Sequence, residues 1–347
     1  MRILVSYFFD EQYIPLGFSL LEGLRQLGHE VHGFDCTPEH WLWRWLLKPL
    51  HSAGRRLRLS DQLAIQGPFG RQGYKRHLLF AELQVFRPEV LIVLRARDYL
   101  RIEDMQRIKS EFGVRHTIGW NVEGPNVPFA IDQEALLYDD YYSMHQCGVH
   151  NSQVQRLPVC AVDSRRYYCT ERQFSQRLMQ PVLVSGWNAR RQQWMSALID
   201  AGVPIYGSKE WVRHNADNVQ ALPYIHPEGC WGEALTRLYN RVSIGLNIQG
   251  WDPQLDGCCN LRVFDIPACG ALLLAEYSEE LAEYFSLGAE ADSFRCPEEL
   301  IDKVNYYQRH QDVMERMARA GFSRVQRLPT YADRARQLLA GYDYPLG

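Results

Sequence analysis

The apolar residues near the amino terminus follow the pattern of a β-α-β unit. Residues 2–9 form an apolar run typical of a buried strand, and leucines then recur at helical spacing over residues 20–27. Gly28 closes this predicted helix, and residues 31–34 form a second apolar run. A helix that joins two such strands predicts a parallel sheet. The unit has no G-x-G-x-x-G sequence, so it carries no dinucleotide-binding fingerprint.

The same alternation continues, and it restarts in the second half of the chain. Further strands are predicted at 90–94, 116–120, 182–185, 203–207 and 242–247, and helices at 102–112, 232–240, 278–285, 297–310, 311–324 and 331–339. A polar, arginine-rich run at 163–180 separates the two series and is the predicted linker. The sequence therefore predicts an α/β protein built from two β/α halves of similar size.

A nucleotide site is predicted in the stretch 260–274, where an amphipathic helix passes through Gly270 into an apolar strand. Arg262 offers a rigid fork of donors for phosphate. Asp265 lies on the same helical face and can accept a hydrogen bond from a sugar hydroxyl. The alternative is a surface ion pair between two residues that are three positions apart.

The composition is that of a globular protein, with 46% hydrophobic and 23% charged residues. A length of 347 residues suits two domains of ordinary size. The formal net charge of -3 argues against a protein whose whole surface binds nucleic acid. A local basic patch is compatible with this charge.

The cysteines predict reduced thiols and no metal site. They stand at positions 36, 147, 160, 169, 230, 258, 259, 269 and 296, without a C-x-x-C pair or another metal-ligand spacing. The first residues read as a strand and not as a signal peptide, because one basic residue precedes a short apolar run that turns acidic. No apolar run is long enough to span a bilayer. We therefore expect a cytoplasmic protein without a transmembrane segment.

Residues 41–76 combine tryptophans with basic residues. Trp41, Trp43 and Trp45 lie among leucines, and they are followed by Arg55, Arg56, Arg58, Arg71, Lys75 and Arg76. This composition suits peripheral contact with an anionic membrane surface, or the binding of a polyanion such as nucleic acid or an anionic acceptor. A tryptophan-rich core helix followed by a solvated basic loop is the other interpretation.

A candidate catalytic carboxylate follows the predicted strand 116–120. Ligands of open parallel sheets gather beyond the carboxyl ends of the strands, so Glu123 stands where a general base could lie. Asp10 and Glu11, which follow the first strand, are rival candidates. A loop glutamate in a Gly-Pro turn is the structural alternative for Glu123.

Several motifs of the second half resemble the CgeB-like, spore-maturation-type glycosyltransferases. They are Gly186 with Arg190 and Arg191, YGSKEW at 206–211, LN at 246–247, NLRVFD at 260–265, CGALL at 269–273, the helical stretch 298–307 and TYADR at 330–334. The stretch 120–125 resembles the family more faintly. The similarity is dense from 181 to 340, and the order and spacing of the motifs make it more specific than any single one.

The resemblance implies the GT-B fold, in which two Rossmann-like domains face an interdomain cleft. Residues 1–170 would then bind the acceptor and residues 181–325 a nucleotide sugar, and the segment 326–347 would cross back to the first domain. The resemblance also implies sugar transfer without a bound metal. The expected co-substrate is a UDP-, GDP- or dTDP-sugar. Asp265 departs from the usual glutamate, and Pro267 stands inside the predicted helix.

The resemblance and the residue chemistry together give a set of donor-binding candidates. They are Gly186, Trp187, Arg190, Tyr206, Gly207, Trp211, Tyr224, Ile225, Asn247, Asn260, Arg262, Phe264, Asp265 and Gly270. Arginines would neutralise the leaving diphosphate, and the two glycines at 186 and 270 would let the backbone approach it. Tyr206, Gly207 and Trp211 would hold the base, with the backbone at 224–225 along its edge. Asn260 and Asp265 would bind sugar hydroxyls.

The sequence thus predicts a metal-independent GT-B glycosyltransferase with an unidentified hydroxyl-bearing acceptor. Glu123 is its first candidate base and Asp10 its second. The alternative is a non-catalytic module of the same fold that binds a polyanion or nucleic acid through the basic segment 44–76.

Overall fold

The computed structural model describes residues 1–10, 14–56, 65, 67–94, 99–127, 130–170 and 174–342. The elements described in the first half are β1 (Arg2–Tyr7), α1 (Leu16–Gln26), β2 (Glu30–Asp35), a π-helical stretch (Trp43–Leu47) that continues into α2 (Lys48–Arg56), α3 (Arg71–Phe86), β3 (Val90–Leu94), α4 (Ile102–Phe112), β4 (His116–Asn121), α5 (Ile131–Ala135), β5 (Asp140–Ser143) and β6 (Val154–Arg156). Glu11 and the stretch 57–64, which contains Arg58, lie outside the described residues.

The second half repeats the alternation of strands and helices. Its elements are β7 (Leu178–Val184), α6 (Ala189–Gln192), α7 (Met195–Asp200), β8 (Ile205–Tyr206), α8 (Lys209–His214), β9 (Ile225–His226), α9 (Gly232–Arg241), β10 (Val242–Asn247), α10 (Arg262–Ala268), β11 (Leu272–Glu276), α11 (Glu279–Tyr284), β12 (Asp292–Phe294), α12 (Pro297–Arg309), α13 (Gln311–Val325) and α14 (Tyr331–Leu338). Short 3-10 turns at Phe174–Gln176 and Leu222–Tyr224 precede β7 and β9.

The described strands form two parallel sheets of six strands each. The first has the order β2-β1-β3-β4-β5-β6, and the second has the order β12-β11-β10-β7-β8-β9. This confirms the predicted α/β class with two β/α halves. The continuous apolar runs arise because a parallel strand is covered by helices on both faces, as in β3, where every residue is buried.

Two strand boundaries differ from the sequence prediction for physical reasons. Strand β7 begins at Leu178, inside the predicted linker, because its first residues pair with β10 before a register shift near Val242. These first residues are only partly buried, so they lack the apolar signature of a strand. Strand β8 is shorter than predicted, since Pro204 has no N–H to donate to a neighbouring strand.

The buried apolar side chains of the described residues form three clusters. One fills a face of the first sheet and another a face of the second. The largest runs from β1 and α1 through the connecting segment around Leu157 and Val159 to Phe264 and Tyr331. A continuous apolar core therefore joins the two halves.

The carboxyl-terminal helix α14 packs against α1 of the first half. The helices approach so closely that a Cβ on Gly23 would lie 2.5 Å from the carbonyl carbon of Tyr331. Arg334, which is buried, donates from Nε and Nη2 to the carbonyl oxygen of Cys160 at 3.0 and 2.8 Å. Val162 and Thr330 form an isolated parallel bridge beside this contact. Helix α14 is therefore fixed to both the first half and the connecting segment.

Loops at the carboxyl edges of the two sheets meet. Gly124, in the loop after β4, touches the ring of Trp251, which follows β10. The carboxylate of Asp256 accepts from the backbone N–H of Gln146 at 2.7 Å and of Cys147 at 3.1 Å. The strand ends of the first half thus face the strand ends of the second. None of the described helices is long and apolar enough to cross a membrane.

Candidate functional site

A crevice is expected in the second sheet where the strand order reverses, between β7 and β10. The chain leaves β7 towards β8 on one side and returns through α9 to β10 on the other, and ligands of such sheets bind at the carboxyl ends of these two strands. The loop after β7 carries Gly186 and Asn188, and the loop after β10 carries Gly250. The Asn188 side chain caps α6 by accepting from Arg191 N at 2.8 Å, and its Nδ2 donates to Gly250 O at 2.9 Å.

Arg191 fixes the two loops to each other. Its Nε donates to Ile248 O and its Nη1 to Gly186 O, each at 2.9 Å. Burial lowers the pKa of Arg191 to about 10. The Arg191 side chain therefore binds backbone carbonyl oxygens of both loops and holds them together. Gly186 itself is partly exposed, and a Cβ there would meet no atom within 4 Å among the described residues.

Arg190 points along the same edge and pairs with Glu276 at the end of β11. Its Nη1 donates to Glu276 Oε2 at 2.8 Å and to Gln249 O at 3.1 Å, and its Nη2 also contacts Glu276. Glu276 is 4% exposed and accepts the backbone N–H of Gln249 at 3.1 Å. The charge of Arg190 is thus balanced by a buried carboxylate that sequence reasoning missed, although a glutamate at the end of an apolar parallel strand was a visible signal.

Amide side chains form a network beside this pair. Asn260 donates from Nδ2 to Asn247 Oδ1 and Gln249 Oε1, both at 2.8 Å, and its Oδ1 accepts from Arg262 N at 2.9 Å. Asn247 is 3% exposed, and its Nδ2 has no hydrogen-bond partner among the described residues. A buried donor of this kind costs free energy unless a partner arrives. The predicted Asn247 and Asn260 therefore lie together, and Gln249, which was not predicted, accepts from the same Asn260 amide.

Arg262 and Asp265 bind each other; Asp265 is buried, and the Arg262 side chain is 14% exposed. Arg262 Nη1 lies 2.6 Å from Asp265 Oδ2, and the guanidinium lies 5.6 Å from the ring centroid of Trp231. Burial raises the pKa of Asp265, against the opposing effect of the Arg262 charge. In the structure Arg262, predicted to bind phosphate, and Asp265, predicted to bind a hydroxyl, are paired with each other. The surface ion pair is not found either, because the pair is enclosed.

The aromatic residues that were predicted to bind the donor differ in how deeply they are buried. Trp211 is 0% exposed, and its Nε1 donates to Ser185 O at 2.9 Å. Gly207 lies against the same ring, and Phe264 is also fully buried. The base-stacking role predicted for Trp211 is therefore contradicted, since the ring has no face open to a ligand, and Phe264 belongs to the core as well.

Other aromatic candidates are partly exposed, and each has a histidine on one face. Tyr206 stacks on His226 with ring centroids 4.3 Å apart, and Trp187 stacks on His214 at 3.5 Å. Tyr224 is half-buried before β9, and Ile225 is buried within it. These residues follow or flank β7, β8 and β9, so they border the crevice on the side away from Glu276.

Gly270 lies at the opposite edge of the second sheet, because it precedes β11 instead of following a strand. It has a φ of 77°, which favours glycine, and a Cβ there would lie 2.7 Å from Cys169 Sγ and 2.8 Å from Arg177 Nη2. The predicted approach of phosphate to Gly270 is therefore wrong. Pro267 lies near the end of the short helix α10, which ends at Ala268.

The two candidate bases lie at the carboxyl edge of the first sheet. Asp10 is exposed shortly after β1, and Glu123 is half-buried two residues after β4. Asn121 links its own strand end to this loop, because its Oδ1 accepts from Glu123 N at 3.3 Å. His145, after β5, is 4% exposed, and its Nε2 lies 3.3 Å from Asn121 Nδ2. Burial lowers the pKa of His145, so its neutral form is favoured.

A cavity of about 430 Å³ opens beside Arg190. Its charged lining residues are Arg190, Arg295, Asp252, Glu276 and Glu279. Both signs of charge are present, and this suits a ligand that carries an anionic group together with hydroxyls. Among the residues that the structure describes, no cluster of His, Cys, Asp or Glu could hold a metal ion.

Comparison with known proteins agrees with this architecture. Residues 190–340 match a family model described as glycosyl transferase-like. No protein of curated function matches the chain in sequence.

Solved structures are similar over nearly the whole chain. Sucrose-phosphate synthase from Thermosynechococcus elongatus is 11% identical with a TM-score of 0.65, and 98% of each chain is covered. An alpha-glucosyltransferase in complex with UDP-glucose and DNA is 8% identical with a TM-score of 0.65, again with 98% of each chain covered. Anabaena HepE in complex with UDP and glucose is 11% identical with a TM-score of 0.62 and the same coverage.

These identities establish the fold alone, which is GT-B with two Rossmann-like halves. The predicted fold is confirmed. The match of the second half adds the class of activity. The chain is therefore a glycosyltransferase of the GT-B fold, with its glycosyl transferase-like region at residues 190–340.

Proposed function

We propose that this protein transfers a sugar from a nucleotide sugar, held on the second sheet, to a hydroxyl group of an acceptor held on the first. The observation that carries the proposal is the polar cluster at the carboxyl ends of β7, β10 and β11, where Arg190 contacts both Glu276 and the Asn247–Gln249–Asn260 network. Two of the structurally similar proteins have UDP or UDP-glucose bound, which supports a nucleoside diphosphate as the leaving group. The CgeB-like relationship remains part of this proposal.

The diphosphate is proposed to bind next to Arg190. This guanidinium is 22% exposed and paired with a carboxylate that is 5% exposed, so it is held in place before a ligand arrives. Gly186, at the adjacent strand end, leaves room for a phosphate to approach the backbone. Positive charge from arginine is what a departing diphosphate requires when no metal ion assists, and we therefore retain the metal-independent mechanism as a proposal.

Sugar and ribose hydroxyls are proposed to bind the amide network. The unpaired Nδ2 of Asn247 is a donor that a hydroxyl oxygen can satisfy. Arg262 and Asp265 are assigned a positioning role, because their ion pair fixes the first turn of α10, on which Asn260 depends. Tyr206 and Trp187 offer their exposed ring faces to the base.

The acceptor is proposed to lie at the carboxyl edge of the first sheet, where Glu123 would take the proton from its hydroxyl. The Gly124–Trp251 contact brings this loop to the loop after β10. Asp10 is the second candidate base, on the far side of β3 from Glu123.

Calorimetry with UDP, GDP and dTDP in the presence of EDTA tests the donor site. We expect one of them to bind, and Arg190→Ala to weaken that affinity by about 10- to 100-fold, the effect of losing a charge-assisted contact. Arg237→Ala is the matched control, because Arg237 is an exposed arginine of the same half that pairs with Glu233 at 2.7 Å. Absence of binding by all three nucleotides, or equal losses in both variants, would refute the proposed site.

A further inference from the structure

The proposed transfer reaction leaves residues 41–56 without a role. They form one continuous helix, here called the tryptophan helix, in which the π-helical stretch Trp43–Leu47 is flanked by helical turns. Trp43 is 4% exposed, whereas its neighbours Arg44 and Trp45 are exposed. The tryptophan helix is thus packed through one face, and its opposite face is directed to the outside.

That outer face is apolar. Trp41 is 64% exposed, Trp45 73%, Leu46 53% and Leu50 58%. These positions recur at intervals of four and five residues, so they project from one side of a helix that contains a π-helical stretch. Phe69, which is 49% exposed, adjoins Trp41 through His40, whose ring lies 4.9 Å from Phe69 and 5.8 Å from Trp41. Large side chains exposed together in this way mark an interaction surface.

Basic residues accompany this apolar face. Arg44 is exposed, and its guanidinium lies 5.8 Å from the ring centroid of Trp45. The Lys48 side chain is 57% exposed, with Nζ 3.8 Å from Glu39. Arg76 does not belong to this surface, because it is buried and its Nη1 donates to Tyr99 O at 3.0 Å. Among the described residues, the surface therefore combines apolar side chains with a few flanking cations.

We infer that the tryptophan helix docks the protein on an anionic membrane surface, with Trp41, Trp45, Leu46 and Leu50 inserted among the lipid chains and Arg44 and Lys48 at the headgroups. Tryptophan favours the interfacial layer of a bilayer, and long basic side chains reach from there to anionic phosphates. The contact is peripheral, because only one face of the helix enters the bilayer.

Two other occupants fit these side chains less well. A nucleic acid or other polyanion would use Arg44 and Lys48, but it would leave Leu46 and Leu50 exposed to water without a gain. A second copy of this chain would cover the apolar face, but a two-fold pairing of the helix with itself would bring like charges together. A bilayer satisfies the apolar and the basic residues at once.

The position of the helix links it to the first sheet. It follows β2, so it starts from the carboxyl edge at which Asp10 and Glu123 also lie. Docking would therefore bring the bilayer towards the acceptor side of the crevice. This consequence alone rests on the proposed function; membrane binding itself does not.

Vesicle co-sedimentation of the full chain tests the inference. We expect binding to vesicles of phosphatidylcholine mixed with phosphatidylglycerol, weaker binding to phosphatidylcholine alone, and partial release at high salt. The double variant Trp45→Ser/Leu50→Ser should lose at least about tenfold in vesicle affinity. Val219→Ser, at a 78% exposed apolar side chain of the second half, is the matched control and should bind as the parent does.

The readouts separate membrane docking from its alternatives and from donor binding. Far-UV circular dichroism and nucleotide calorimetry on the double variant should match the parent, because both replaced side chains are exposed and lie in the first half. No vesicle binding by the parent, or undiminished binding by the double variant, would overturn the inference. Heparin binding by the parent without vesicle binding would indicate a polyanion as the partner, and a dimer of the parent that the double variant does not form would indicate a second copy of the chain; either result would overturn the inference.

Discussion

Gly124 and Trp251 are in direct contact across the two halves of the molecule: a Cβ added to Gly124 would lie 2.3 Å from Cε3 of the indole. The glycine follows β4 and the tryptophan follows β10, so this contact sets how closely the two carboxyl edges approach. Trp251 is 8% exposed. A side chain at position 124 would therefore collide with the indole ring of Trp251.

Gly124→Ala should destabilise the protein by about 1–3 kcal/mol, because the added methyl group cannot fit without moving the ring. A fall in melting temperature would measure this. Gly186→Ala serves as the comparison, since an added Cβ there has open space among the described residues and should leave stability unchanged. Equal melting temperatures for the two variants would contradict the contact.

The proposed roles of the two carboxylates predict different effects on transfer. Glu123→Gln should lower kcat by about 100- to 10,000-fold, as expected for loss of a general base, and should leave nucleotide affinity intact. Asp10→Asn should have little effect. Product formation and donor hydrolysis should be followed together, and the reverse pattern between the two variants would transfer the role to Asp10.

Helix α14 is predicted to be sensitive at its contact with α1. Gly23→Ala introduces a better helix former, which alone would stabilise α1 by up to about 1 kcal/mol. The new Cβ would nevertheless lie 2.5 Å from both backbone carbonyl atoms of Tyr331, so we expect net destabilisation by about 1–3 kcal/mol. Limited proteolysis should show faster cleavage near the carboxyl terminus, and unaltered proteolysis with a higher melting temperature would refute the packing.

The free energy of unfolding should decrease as the pH is lowered, and His145 should contribute to this decrease. Burial depresses its pKa below the ordinary value of 6.5, with Asp256 opposing this effect. Above pH 6.5 the imidazole is neutral in both states, whereas below it the unfolded chain takes up the proton more readily, so folding is progressively disfavoured. Urea unfolding at several pH values should show this loss, and His145→Gln should remove part of the slope. An identical slope in the variant would exclude His145 as its source.

Much of the fold was predictable because burial on both faces of a parallel strand leaves a continuous apolar run. The run at 90–94 coincides with β3 for this reason. Strand β8 was predicted less well, since two paired residues carry too little pattern. The start of β7 was hidden because its first residues are partly exposed.

The candidate site was predictable only in part. Arg190 and Asn247 were singled out because strand ends of an open sheet are natural ligand positions, and the structure places both of them at such ends. Their partners Glu276 and Gln249 were not singled out, because contacts between neighbouring strand ends leave no fixed spacing in the sequence. Trp211 was misassigned because α8 has only six residues, too few to show which side faces the core. Gly270 was misassigned because a helix-ending glycine and a phosphate-binding glycine look alike in sequence.

The connections between the two sheets restrict how the crevice can open. The chain passes from one half to the other after β6 and returns before α14, and these two crossings are joined at Val162 and Thr330. A single backbone cut in either crossing would leave the other as a covalent tether, so the halves would stay together after nicking. The two halves are therefore held together by two covalent links that are themselves paired with each other.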